Sequence, residues 1–137
     1  MTTPHISELP ALRTAADVHE RVTMLVGAAT TDRQLWIMFV DGDGVQAPVI
    51  VPITEMPAEP GPETAERLAE VLGGLRAQLA TDQGPGAVVL TWERLGPDRP
   101  LPADRAWARA LADACAASGI PGRGTFLSTP GGITALA

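Results

Sequence analysis

Three short runs dense in β-branched and apolar residues, "LWIMFV" at 35–40, "APVIVPI" at 47–53 and "GAVVLTW" at 86–92, constrain this chain most. None shows the strict apolar–polar alternation of a strand with one wet face, so each needs cover on both faces. That cover can come from segments of a different period. In "TAADVHERVTMLVGAA", Val18, Val22 and Leu25 recur at helical spacing after Thr14 and Asp17, whose separation is that of a capping box. In "ETAERLAEVLGGLRAQLA", Leu68, Val71, Leu72, Leu75 and Leu79 form a longer stripe. A third helical pattern, "PADRAWARALADACAAS", is stopped by Gly119.

Asp41-Gly42-Asp43-Gly44 separates the first two apolar runs and has the turn chemistry of a β-hairpin. Pro48 constrains the second run, because a residue without an N–H favours an edge or a bulge. Two short strands, "RGTFLS" and "GITAL", close the sequence around Pro130-Gly131-Gly132. The expected fold is α/β: a three-layer α/β/α sandwich with a mixed five-stranded sheet and element order α-β-β-α-β-α-β-β. Helices are expected near 15–28, 63–80 and 103–118, with the hairpin 34–52 at one side of a mostly parallel sheet. Gly73 and Gly74 cost the second helix about 2 kcal/mol against alanine, which predicts close packing there. Residues 1–13, with two prolines and no period, are expected as a flexible or loosely docked arm, and 14–137 as a single domain.

At 137 residues, 45% of them apolar, the chain has material for one core. Its ten basic residues are all arginine, which points to a genome of strong GC bias. Sixteen acidic residues give a net charge of −6, and the arginines are scattered, so nucleic acid and anionic membrane are both disfavoured as partners. A lone Cys115 cannot form an internal disulfide. The start lacks the character of a secretory signal and no apolar run is long enough to span a bilayer, so a soluble cytoplasmic protein is expected.

The order of elements resembles the cytidine-deaminase-like fold, which JAB/MPN isopeptidases and RadC-like proteins share. The segment "VVLTWERLGPDRPLPADRAWARALADACAASGI" is similar in layout to the RadC-like strand, loop and helix that carry His-x-His, seven residues, then Ser-x-x-Asp. Aligned through Asp104, the histidine positions fall on Thr91 and Glu93, and the serine position on Leu101. The resemblance implies a zinc-activated water, yet a pair of carboxylates without nitrogen or sulfur donors is a poor zinc site. The deaminase layout implies His-x-Glu and Pro-Cys-x-x-Cys. Here the second helix opens "PETAER", and Ala103 and Ala106 stand at the cysteine positions. No metal, no cofactor and no catalytic residue is therefore expected.

His19 has no motif partner and reads as a solvated helix residue, and Cys115 shares a stripe with Trp107 and Leu111 as a small core hydrophobe. The loop from Glu93 to Pro100 is the candidate binding surface, a rim of Glu93, Arg94, Arg99 and Asp104 with both arginines exposed. It can grip an anionic ligand or a partner carboxylate, or be a rigid connector over a core Trp107. The expected function is a non-catalytic interaction or regulatory module on a JAB/deaminase-like scaffold; the alternative is a small anionic-ligand binder using Arg94 and Arg99. A protein partner and a homodimer both stay open.

Overall fold

The computed structural model describes residues 9–79 and 86–136. They form a mixed α/β unit of α1 (Ala15–Leu25), β1 (Gln34–Val40), β2 (Gln46–Ile53), α2 (Thr64–Leu79), β3 (Ala87–Glu93), α3 (Pro102–Ser118), β4 (Gly122–Thr129) and β5 (Gly132–Ala135). The first residues of the expected arm, His5 among them, and the turn at 84–85 lie outside the described residues. From residue 9 onward the arm is docked: Leu12 is buried, and its N–H donates to the Gly44 carbonyl at 2.7 Å. No described helix is long and apolar enough to cross a membrane.

Local chemistry sets the element boundaries. The Thr14 hydroxyl accepts from Asp17 N–H while the Asp17 carboxylate accepts from Thr14 N–H, closing the capping box that starts α1. Gly27, at φ +70°, follows the end of α1, which is shorter than the expected 15–28. Gly119 ends α3 in the left-handed region. The Asp41–Gly44 segment reverses the chain between β1 and β2, with Asp41 and Val45 bonded across it and the Asp43 carboxylate receiving Val45 N–H.

The strands lie side by side in the order β2-β1-β3-β4-β5. The sheet is open and mixed, but the expectation that it is mostly parallel is wrong: among the described residues only β3 and β4 pair in parallel, and the other three neighbouring pairs are antiparallel. The reason is topological. The crossover through α2 does leave β2 and β3 running the same way, but β1 lies between them and is antiparallel to both. Only the β3–α3–β4 crossover delivers its strands as neighbours. Among the described residues β2 is an edge strand, and the ladder to β1 is irregular between Met38 and Val40, beside the stretch that holds Pro48.

Alternate residues of the central strands feed two apolar clusters. Leu35, Ile37 and Phe39 of β1 and Val88, Leu90 and Trp92 of β3 pack with Leu68 and Leu72 of α2 and Trp107, Leu111 and Ala114 of α3. On the other face, Met38, Val40, Val89 and Phe126 pack with Val18 and Val22 of α1 and with Leu12. Trp107 is fully buried, stacks on Trp92 at 4.6 Å between centroids, and donates its indole N–H to the Ala58 carbonyl at 3.0 Å. Gly73 and Gly74 differ from expectation: both are exposed, and no neighbouring atom stands within 4 Å of where a Cβ would be. Among the described residues no close packing offsets their cost.

Candidate functional site at the β3–α3 junction

β3 ends by pointing two consecutive charged residues to opposite faces of the sheet. Val88, Leu90 and Trp92 face α3, so Arg94 continues that side, while Glu93 shares the α1 side with Val89 and Thr91. The Glu93 carboxylate is 3% exposed and fully engaged. One oxygen accepts from Thr30 and Thr31 N–H at 2.8 and 3.0 Å, and the other from the Trp36 indole at 2.8 Å. Glu93 thus anchors the segment after α1 to the strand end. Thr91 is fully buried on the same face, and its hydroxyl has no hydrogen-bond partner among the described residues.

Arg94 is also buried, which corrects the expectation of an exposed rim arginine. Its guanidinium grips the fully buried Asp104 carboxylate with both arms, Nε to Oδ1 at 2.8 Å and Nη2 to Oδ2 at 2.7 Å. The remaining N–H groups go to main-chain carbonyls of the loop that follows: Pro97 at 2.8 Å, Arg99 at 2.9 Å and a longer contact to Leu95 at 3.4 Å. Asp104 also accepts Leu101 N–H at 2.7 Å, satisfying a donor at the start of α3. Burial by itself raises the Asp104 carboxyl. The Arg94 hydrogen bonds, the Leu101 amide and the charge of Arg94 more than offset this, so the group lies below the ordinary carboxylate value. The same pairing pushes Arg94 further up against its own burial.

Two more contacts pin the loop. Leu95 N–H donates to Asp32, and the Asp98 carboxylate accepts Gly131 N–H at 2.9 Å from the β4–β5 turn. A Cβ at Gly131 would lie 2.5 Å from that carboxylate, so a larger residue there would displace the Asp98 side chain and its bond to the turn. Of the four proposed rim residues, Glu93, Arg94 and Asp104 are therefore interior and internally bonded, and only Arg99 has an exposed side chain. Leu95, 47% exposed, projects from the loop. Beside the ion pair a cavity of about 260 Å³ opens between Arg33, Ala58, Trp92, Leu101 and Ala103. Arg33 and Ala58 come from segments that carried no sequence signal.

The residues present do not fit the zinc that the resemblance implies. Thr91 and Glu93 face away from Asp104, and the residues that do face it are Trp92 and Arg94. Asp104 has its oxygens committed, and Leu101, Ala103 and Ala106 bring no donor side chain. Among the described residues, no three His, Cys, Asp or Glu side chains gather as a metal-holding group. His19 lies elsewhere, its ring stacked on Phe126 and its Nε2 3.2 Å from the Ile133 carbonyl. Cys115 is half-buried against the core, and burial raises its thiol, the opposite of an activated nucleophile. Compared with protein-family models, curated proteins and solved structures, the chain matches none.

Proposed function

We propose that this chain is a non-catalytic interaction or regulatory module on a three-layer scaffold resembling the JAB/cytidine-deaminase-like fold, without that fold's metal site. The observation that carries the reading is the commitment of Arg94 and Asp104 to each other at the place where α3 begins. Catalytic groups must keep a lone pair, a proton or an open coordination position for substrate. Here Arg94 keeps no free N–H, and the Asp104 carboxylate accepts three hydrogen bonds at a position closed to solvent. The α/β/α layering is supported by the two apolar clusters, which hold α1 on one face of the sheet and α2 with α3 on the other.

The interaction surface in this reading is the pinned loop 95–101. It is rigid before any partner arrives, which lowers the ordering cost of association, and it presents Leu95 and Arg99 outward next to the cavity. The alternative reading, a small anionic-ligand binder, is favoured by that same cavity but must take its cation from Arg33 or Arg99, since Arg94 has no donor to spare.

Affinity capture from the native host with wild type, Leu95→Arg and Arg99→Ala tests the surface. A protein recovered by wild type and lost with Leu95→Arg at unchanged melting midpoint supports it, and equal recovery by all three contradicts it. Stoichiometric zinc in protein never exposed to chelator would overturn the non-metal assignment itself. A saturable midpoint rise with a phosphorylated metabolite, lost in Arg33→Ala, would favour the ligand-binding alternative.

A further inference from the structure

We infer that the β3–α3 loop is a cation site occupied from within: its backbone is folded around the Arg94 guanidinium, which acts as a resident ligand. Five oxygen atoms converge on that group, both carboxylate oxygens of Asp104 and the carbonyls of Leu95, Pro97 and Arg99. Three of the five are main-chain carbonyls of one short segment, so the loop's own conformation is shaped by the cation at its centre. An ordinary exposed pair asks nothing of the backbone.

The sequence of the loop is suited to this task. Gly96 takes φ +115°, a region closed to most side chains, and a Cβ there would lie 3.4 Å from Arg94 Nη1. Pro97 and Pro100 limit the other conformations available to the segment. The acceptors are all oxygen, which suits a guanidinium and offers nothing to a soft metal. The consequence is that the junction of β3 with α3 needs no bound ion to hold its geometry, and that Arg94 is unavailable to any external anion. This inference stands on the hydrogen-bond geometry and not on the proposed function, and its test involves no partner protein.

Arg94→Ala deletes the atoms of ethylguanidinium and leaves their cage. Thermal unfolding is measured for wild type, Arg94→Ala and the double variant Arg94→Ala/Asp104→Ala, in ethylguanidinium chloride against ethylammonium chloride at matched ionic strength. The expected result is a saturable rise in the midpoint of Arg94→Ala with ethylguanidinium alone, with no rise in wild type or in the double variant. An equal response to both salts, or no response, would overturn the inference. If Arg94→Ala does not fold in buffer, refolding yield becomes the readout: recovery with ethylguanidinium and not with ethylammonium supports a guanidinium site, and failure with both contradicts it.

Discussion

An arginine in water can be lost at little cost, whereas one that holds a buried carboxylate and three carbonyls cannot. Removing one partner of a buried pair costs about 3–5 kcal/mol because the other is left charged and unmatched. Arg94→Ala should therefore lose stability on that scale, while Arg99→Ala, on the same loop but exposed, should stay within about 0.5 kcal/mol. Urea unfolding of both variants decides this, and equal small losses would mean that the pair is not formed in solution. Acid carries a second signature. Asp104 lies below its ordinary value in the folded chain, so its contribution is complete above the unfolded value of about 3.9 and is lost as pH falls from there through the lower folded value. Wild type should lose stability more steeply than Asp104→Asn in that acid window, and parallel slopes would contradict the assignment. The burial of Arg94 was not read from the sequence, which placed it on an exposed rim, but the side of the sheet it continues was legible. Val88, Leu90 and Trp92 read as core, and a period of two places Arg94 with them and Glu93 opposite. The five-fold coordination was not legible, because it depends on how residues 95–101 turn, and Gly96 and two prolines only narrow that path.

At the scale of elements, local signals located the segments well and failed where neighbours decide. The Thr14–Asp17 box, the Asp-Gly turn and the Gly119 stop act within a few residues, so the sequence exposes them directly. The strand neighbours depend on which strands a crossover skips, and no residue of β1 records that it lies between β2 and β3. The glycines of α2 are a second case. The sequence predicts close packing that offsets their cost, but no atom of the described residues stands within 4 Å of either missing Cβ. Gly73→Ala and Gly74→Ala should each raise stability by about 0.5–1 kcal/mol, the usual difference in a helix interior. A thermal midpoint that falls with either substitution would show that this face of α2 is covered in solution.

At the scale of the whole molecule, the β3–α3–β4 crossover, which joins the parallel neighbours of the described sheet, carries the ion pair where its loop enters the helix. The β4–β5 turn and the segment between α1 and β1 are both tied to that loop, through Asp98 with Gly131 and Asp32 with Leu95. These two ties, made by the loop and not by the guanidinium itself, join parts of the chain that are distant in sequence. Three of the four candidate rim residues face inward and bond to the chain itself. Nitrogen-15 NMR of the arginine side chains at neutral pH tests this most directly. Arg94 should show separate, slowly exchanging Nε–H and Nη–H resonances, because all five of its N–H groups are engaged, two on the buried Asp104 carboxylate and three on loop carbonyls, while those of the exposed Arg99 exchange rapidly with water. An Arg94 signal that exchanges as fast as that of Arg99 would contradict the account.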